Sequence, residues 1–232
     1  IEYYNRKTTD MIMERPMAFS TGFESYLDNI GEMRNTGWEI SLNGVLVNRP
    51  DFRWDVTVMA STQNNKVLKL TPEAKEIIGG STIIREGLPV NTFYLPKFAG
   101  VDPATGAALY WAYDTDDKGN ITNEYITSDT GKATSSRYLM GSRIPDLFGS
   151  IGTNLQWKGI DFSILTTYSI GGKVLDYIYA GAMTPFYYGQ TYHSHLTRAW
   201  QKPGDITDVP RVEVGTSSIT SDRFLVDASY FA

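Results

Sequence analysis

The stretches GWEISLNGVLV at residues 37–47 and DFRWDVTVMAS at residues 51–61 decide the fold. Apolar residues occupy every second position in both stretches: Trp38, Ile40, Leu42, Gly44 and Leu46, then Phe52, Trp54, Val56, Val58 and Ala60. The positions between them are mainly polar, as at Glu39 and Asp55. A period of two is typical of a β-strand whose faces meet different surroundings. With the short connection Asn48-Arg49-Pro50-Asp51 between them, the two stretches predict a β-hairpin.

A second hairpin is predicted further along the chain. Residues 147–157 alternate in the same way, and so do residues 161–170, with Lys158-Gly159 as the tight turn between them. Edge strands within Glu2–Met13 and Arg223–Ala232 would bring the total to about six strands.

Long connections alternate with these tight turns. Residues 65–145, 171–222 and 14–35 are rich in Gly, Pro, Thr, Asp or Tyr and show no long amphipathic helix. One short helix is predicted at residues 71–78, with Thr71 as N-cap and Pro72 in the first turn. Long loops at one end of the strands and tight turns at the other are typical of outer-membrane barrels.

The two strand faces separate charge from apolar residues. The apolar parity of the four strands carries no charged residue, whereas Glu39, Arg53, Asp55 and Asp161 lie on the opposite parity. Trp54 and Trp157 adjoin the tight turns, where an aromatic girdle is expected, and Trp38 lies at the other end. The pattern favours an all-β fold: a segment of about six strands from an antiparallel up-and-down transmembrane β-barrel, with long extracellular loops.

Two alternatives stay open at this level. A soluble carbohydrate-binding β-sandwich also keeps charge off its core face. A secreted β-rich glycoside hydrolase would need two carboxylates at a defined separation, which sequence alone does not reveal.

Composition excludes several other classes. The 26 acidic and 21 basic residues give a net charge of −5, which argues against a nucleic-acid binder. Cysteine is absent, so disulfides and thiolate metal sites are excluded. The longest purely apolar run, residues 107–113, is far shorter than the roughly 20 residues of a membrane-spanning helix.

No motif predicts catalysis, a cofactor or a metal centre. The segment Asp114–Asn120 is similar to a calcium loop but has Lys118 at the fifth position and Tyr125 at the twelfth, so we predict a solvated turn. His193 and His195, two residues apart, would share one face of a strand, but they lack further His or Cys partners. P-loop, GxSxG, HExxH and dinucleotide fingerprints are all missing from the sequence.

A series of short motifs resembles the C-terminal barrel of SusC/RagA-type TonB-linked outer-membrane transporters. None is specific alone, but their order and spacing cover nearly the whole chain. They are Asn35–Asn43, Phe52–Val56, Asn65–Val67, Glu86–Pro89, Phe93-Tyr94, Gly100–Gly106, Pro145–Leu147, Lys158–Ser163, Gly171–Lys173, Asp208–Arg211, Ser221–Leu225 and Ser229-Tyr230.

The resemblance implies a role and partners. Such transporters import glycan oligosaccharides or peptides across the outer membrane of Gram-negative, Bacteroidetes-type bacteria. A SusD-like surface lipoprotein assists them, and the TonB complex acts on their plug. The plug and the final strands of the family have no counterpart in residues 1–232, so we expect this chain to be an incomplete C-terminal part of the barrel, in contact with outer-membrane lipid.

Aromatic residues of the long loops are the candidate contacts for substrate or lipoprotein. Aromatic faces stack on sugar rings, and tyrosine adds a hydroxyl. The candidates are Tyr94, Trp111, Tyr113, Tyr187, Tyr188, Tyr192 and Trp200. The alternative for each is a small core inside the folded loops.

Overall fold

The computed structural model describes residues 1–17, 19–23, 25–29, 31–71, 75–185, 188–213 and 219–232. Its strands, in chain order, are β1 (Glu2–Thr8), β2 (Ile12–Pro16), β3 (Ser25–Asn29), β4 (Glu32–Arg49), β5 (Phe52–Thr62), β6 (Asn64–Lys69), β7 (Glu76–Gly79), β8 (Thr82–Arg85), β9 (Thr92–Val101), β10 (Ala108–Thr115), β11 (Ile121–Thr127), β12 (Arg137–Ser142), β13 (Leu147–Trp157), β14 (Ile160–Ile170), β15 (Lys173–Leu175), β16 (Leu225–Asp227) and β17 (Tyr230–Phe231). The helices are α1 (Thr130–Ser135), α2 (Tyr177–Ala182) and the 3₁₀ segments Phe19–Thr21, Ser194–Arg198 and Asp222–Phe224.

The chain folds as two compact units. Unit 1 comprises Ile1–Phe93, Gly141–Lys173 and Asp227–Ala232. Unit 2 comprises Tyr94–Met140 and Val174–Val226.

Unit 1 is built on a wall of antiparallel strands in the order β1-β4-β5-β13-β14-β17. Both predicted hairpins and both predicted edge strands are confirmed, with β1 paired to β4 and β17 to β14. The strands β5, β13 and β14 have 11 residues each, and a tilted membrane strand needs about 9–11. The long connections leave from the end of the wall opposite the tight turns.

The tight turns follow from local backbone chemistry. In the second turn Lys158 and Gly159 have φ values of 47° and 84°. Two successive positive φ values match the right-handed twist of the flanking strands, which is why glycine follows here. The Lys158 N–H also donates to the Asp51 carbonyl at 3.1 Å, so the two turns are hydrogen-bonded to each other.

The two hairpins lie side by side in one sheet. Strand β5 pairs with β13 along its whole length, from Phe52 beside Trp157 to Thr62 beside Leu147. A β-sandwich built from these hairpins would instead stack them face to face across a dry interior. The sandwich alternative is therefore wrong.

A β-bulge changes the faces at the turn end of β4. The register with β5 shifts between Val45 and Val47. Val47 then opposes Trp54 and Arg49 opposes Phe52, so these two residues, and not Leu46, continue the apolar parity. Arg49 was predicted to lie in the turn, but it belongs to the strand. It is the one charged residue on this parity of β5, β13, β14 and the Trp38–Arg49 part of β4, and it lies at the edge, where a long side chain can reach water.

In the remainder of unit 1 the buried hydrophobic residues include Val67, Leu70, Ile83 and Phe93. Strand β6 continues the register of β5 along β4, and β2 pairs with β3. The helix predicted at residues 71–78 is wrong at its second half: Glu76–Gly79 is strand β7, paired with β8. Its β-branched Ile77-Ile78 pair favours a strand, and residues 72–74 lie outside the described residues.

Unit 2 contains strands β10 and β11, and β10 lies between β9 and β11. Its core includes Ala108 and Tyr110 against Ala133 of α1. Asp129 caps α1 by accepting from the Gly131 and Lys132 N–H groups. The connections predicted to be irregular therefore carry ordered strands, because their apolar residues pack on one another.

Candidate functional site

One face of the unit 1 wall is apolar from strand to strand. Leu42 pairs with Val58, Val58 with Ile151, and Ile151 with Thr166. The same parity brings Ile40, Trp54, Val56, Leu155, Trp157, Phe162 and Ile164 to this face. Leu42 and Ile164 keep 56% and 46% exposure. The apolar face is exposed, and its strands are long enough to span a membrane. Such a face is suited to contact with the hydrocarbon core of a lipid bilayer.

The opposite face of the wall is polar. Asp55 pairs with Asn154, and Asn43 pairs with Thr57, whose hydroxyl donates to the Asn43 Oδ1 at 2.8 Å. Arg53 Nε lies 2.8 Å from Asp55 Oδ2. All four charged residues predicted for this face are on it: Glu39, Arg53, Asp55 and Asp161. The wall thus has one face for an apolar phase and one for water.

Tryptophans mark both ends of the apolar face. Trp157 opposes Phe52 beside the tight turns, and Trp54 donates its Nε1–H to Thr153 Oγ1 at 2.8 Å. Trp38 lies at the other end, paired with Tyr3. Aromatic side chains with a polar edge are enriched at membrane–water interfaces.

In unit 2, one face of the sheet collects Trp111 and Tyr113 from the sequence candidates. Trp111 pairs with Lys97 of β9, and Tyr113 pairs with Glu124 of β11. The Lys97 Nζ lies 5.3 Å from the Trp111 ring centroid and 5.5 Å from the Tyr138 ring centroid. We call Lys97, Trp111, Tyr113, Glu124 and Tyr138 the aromatic patch.

Tyr138 joins the charged and aromatic parts of the aromatic patch. Its hydroxyl donates to Glu124 Oε1 at 2.9 Å, and its ring meets Tyr113 edge-on at 5.3 Å between centroids. Burial is the largest cause that raises the Tyr138 pKa far above its usual range, and the hydrogen bond to Glu124 raises it further. The phenol therefore stays neutral. The aromatic patch offers flat rings flanked by an ammonium and a carboxylate, which suits a ring-bearing ligand with polar groups.

Sequence reasoning did not find Tyr138, Lys97 or Glu124. Lys97 and Tyr138 lie on β9 and β12, which pair in the sheet although 35 residues separate their ends. No local pattern reveals that pairing. Tyr94 also lies on β9 and is half-buried.

Trp200 is held in place by contacts with other residues of unit 2. Its Nε1–H donates to the Pro103 carbonyl at 2.9 Å, and its indole covers Gly106, where a Cβ would collide with the ring. Gly106 has φ 73°, a conformation that also favours glycine. Asp102 closes this loop by accepting from Thr105 Oγ1 at 2.5 Å, and this bond lowers the Asp102 pKa. These contacts fit the alternative given for each aromatic candidate, in which Trp200 is part of a small core inside the folded loops.

The other tyrosine candidates differ in exposure. Tyr188 is 91% exposed. The Tyr192 hydroxyl donates to Gln190 Oε1 at 3.4 Å. Tyr187 lies outside the described residues.

The two histidines lie at the start of a 3₁₀ helix, not on a strand as predicted. His193 Nδ1 accepts from the His195 N–H at 3.1 Å, and His195 Nδ1 lies 2.8 Å from the Tyr179 hydroxyl. Desolvation lowers the His195 pKa, and the neighbouring His193 lowers it further. The Nδ1 of each histidine is thus used within the fold.

The segment at Asp114–Asn120 forms a turn held by one carboxylate. Asp116 Oδ1 accepts from the Lys118 and Asn120 N–H groups at 2.9 and 2.8 Å, which fits the predicted turn. Across the described part of the chain, no cluster of three or more His, Asp or Glu residues is arranged to hold a metal ion. No described helix combines the length and the apolar character that crossing a membrane requires.

Known proteins resemble this chain in sequence. No family model matches it. It is 29% identical to TonB-dependent receptor P3 of Formosa agariphila over 99% of the chain and 24% of that protein. It is 25% identical to TonB-dependent receptor SusC of Bacteroides thetaiotaomicron over 77% of the chain and 18% of that protein. The chain thus spans about a quarter of the relatives it matches or less.

Solved structures resemble it in fold. The structure of the RagAB peptide transporter superposes with a TM-score of 0.81 at 26% identity, covering 99% of this chain and 25% of the matched one. The open-open state of the RagAB peptide importer, at 24% identity, gives a TM-score of 0.74. The predicted barrel-segment fold and the predicted resemblance to SusC/RagA-type transporters are confirmed.

Proposed function

We propose, from the premise that the chain is a relative of SusC/RagA-type TonB-dependent transporters, that it forms part of the barrel wall and outer inserts of an outer-membrane nutrient transporter. The observation that carries this proposal is the wall with one apolar and one polar face, built from strands of 11 residues. Lipid would meet the apolar face, and the transport path would meet the polar face. The host would be a Gram-negative, Bacteroidetes-type bacterium.

The substrate would be an oligosaccharide or a peptide. The RagAB structures are described as those of a peptide transporter, and a peptide or a sugar ring would each find a complementary surface in the aromatic patch. Among the candidate contacts, Trp111 and Tyr113 have the best support, because they share this patch with Lys97 and Glu124. Tyr94, Tyr187, Tyr188, Tyr192 and Trp200 remain candidates for contact with substrate or lipoprotein.

The complete protein would work with two partners. A SusD-like surface lipoprotein would help capture substrate, and the TonB complex would act through a plug outside these 232 residues. We assign no catalysis and no cofactor to the chain, since the relatives are named as receptors and the matched structures as transporters.

Cell fractionation tests the location. The complete protein that carries this sequence is expressed in its host and followed through soluble, inner-membrane and outer-membrane fractions. We expect it in the detergent-extracted outer membrane. Recovery in the soluble periplasm would reject the proposal.

Ligand binding by the purified complete protein tests the contact residues. Titration of oligosaccharides and short peptides should identify a ligand whose affinity falls about thirtyfold in Trp111→Ala, since stacking and buried area each contribute about 1 kcal/mol. The control is Leu139→Ala, a half-exposed neighbour of Tyr138. If both variants bind alike, the aromatic patch is not a ligand surface.

A further inference from the structure

A cavity of about 480 Å³ lies in unit 1 at the end of the wall remote from the tight turns. Its size falls within the range of small-ligand pockets. Tyr3 and Trp38, which are register partners on β1 and β4, line it with ring centroids 5.0 Å apart. Both rings are about half-exposed.

The cavity adjoins the apolar face of the wall. Trp38 shares the parity of Ile40 and Leu42, which follow it toward the tight turns. Its backbone N–H donates to the Thr62 hydroxyl at 3.0 Å, and Thr62 opposes Leu147 on the same face. A molecule seated on Tyr3 and Trp38 would therefore continue onto the surface assigned to lipid.

Polar side chains line much of the rest of the cavity. Gln63, Asn64 and Asp146 all face it, and no side-chain hydrogen bond links any of the three to another described residue. Free amide and carboxylate groups beside an aromatic platform suit a hydroxylated ring, whose hydroxyls pair with the polar groups and whose C–H face packs on the rings.

The charge of the cavity disfavours an anionic ligand. Its described lining residues include Asp146 and no lysine or arginine. Arginine and lysine are the usual side-chain partners of phosphate, so the lining favours an uncharged head group over a phosphate. An uncharged sugar meets this condition.

We propose that this cavity binds the sugar head group of an uncharged glycolipid in the outer leaflet, with the acyl chains along Ile40 and Leu42. The inference rests on the proposed function, because it requires the apolar face to meet lipid. A free saccharide would present the same hydroxylated ring, but it would leave the adjoining apolar surface unused.

The test is lipid selectivity of the purified complete protein. The protein is reconstituted in phosphatidylcholine nanodiscs with a small fraction of a diglycosyl diacylglycerol, and co-purifying lipid is counted by native mass spectrometry. A second arm uses diacylglycerol without the sugar, and a third adds the free disaccharide as competitor. We expect the glycolipid to be enriched about fivefold or more over its bulk fraction, and the sugar-free lipid not to be enriched.

Two variants locate the binding. Gln63→Ala combined with Asn64→Ala should return the glycolipid to its bulk fraction, since it removes two polar side chains and leaves the backbone hydrogen bonds of the strands in place. Trp157→Phe, an aromatic of the same face beside the tight turns, is the matched control and should keep the enrichment.

Three results would overturn the inference: no enrichment, equal enrichment in the double variant, or full displacement by the free disaccharide at a concentration comparable to that of the glycolipid. The last would mark a site for a soluble sugar. Outer-membrane fractionation of the same variants tests the proposed function separately. A failure of glycolipid binding can therefore be distinguished from a failure of the proposed outer-membrane role.

Discussion

The hydroxyl of Tyr168 donates to the backbone carbonyl of Met59 at 3.1 Å, across the intervening strand β13. Gly149 makes the crossing possible: a Cβ there would collide with the Met59 oxygen and lie 2.8 Å from the Tyr168 hydroxyl. The carbonyl is thus tipped toward the apolar face, and the tyrosine caps it. An uncapped carbonyl in hydrocarbon would cost several kcal/mol.

A second tyrosine repeats this arrangement on the polar face. Tyr4 donates to the Thr62 carbonyl at 3.2 Å, above Gly37. Gly37 and Tyr4 are register partners, as are Gly149 and Tyr168. On each face of the wall, a tyrosine hydroxyl therefore passes over a glycine and donates to a backbone carbonyl of strand β5.

Removing the two caps should have unequal effects. Tyr168→Phe is expected to lower the free energy of unfolding of the complete protein by about 1–3 kcal/mol, because the Met59 carbonyl is left unpaired on the apolar face. Tyr4→Phe should cost less, since water can replace the hydroxyl on the polar face. Urea unfolding in phosphatidylcholine vesicles measures both, and an equal or reversed order would contradict the assignment of the faces.

The glycine under Tyr168 should tolerate no side chain. Gly149→Ala is expected to destabilise the protein by more than Tyr168→Phe, because the new methyl group meets backbone atoms that cannot yield without disturbing the ladder. Gly152→Ala is the control on the same strand: its Cβ would lie at an ordinary 3.6 Å from the Leu165 side chain. Comparable unfolding midpoints for the two alanine variants would refute this account of Gly149.

A single charge should report which face meets lipid. Ile151 lies on the apolar face and Ser150 on the polar face, one residue apart on β13. Ile151→Arg should destabilise the membrane-inserted protein by about 2–4 kcal/mol and reduce its outer-membrane level, whereas Ser150→Arg should be nearly neutral. Heat-modifiable migration of the folded protein in electrophoresis gives the readout. The assignment fails if Ser150→Arg is the more damaging change.

The wall was predictable from sequence because its information is local. Each strand face is set by residues two apart, so Trp38 to Ala60 defined the first hairpin without any knowledge of its neighbours. The bulge at Val45–Val47 was not predictable in this way, since apolar residues on both sides of it left two registers equally plausible. That single extra residue is what moved Arg49 onto the apolar parity.

The aromatic patch was predictable only in part, because its geometry is non-local. Trp111 and Tyr113 stood out as aromatics two residues apart. Lys97 and Tyr138 can be assigned to the aromatic patch only when the pairing of β9 with both β10 and β12 is known. For Trp200, the sequence could not distinguish a ligand contact from its packing on Gly106, since the two lie 94 residues apart.

Acidification should loosen the segment that carries the two histidines. The His195 pKa is lowered in the folded protein, whereas the unfolded value is near 6.5. The unfolded state then binds the proton more readily, so the stabilisation present above about pH 6.5 is lost as the pH falls through the folded pKa. Protonation of Nδ1 would also prevent it from accepting the Tyr179 hydroxyl, 2.8 Å away.

Hydrogen exchange checks this pH dependence. After correction for intrinsic rates, amides of Ser194–Arg198 should exchange faster at pH 5 than at pH 7.5, relative to those of helix α1, which contains no histidine. His195→Gln should abolish the pH-dependent increment, because glutamine does not titrate. A corrected exchange rate that is the same at both pH values in the unmodified protein would show that His195 does not control the segment.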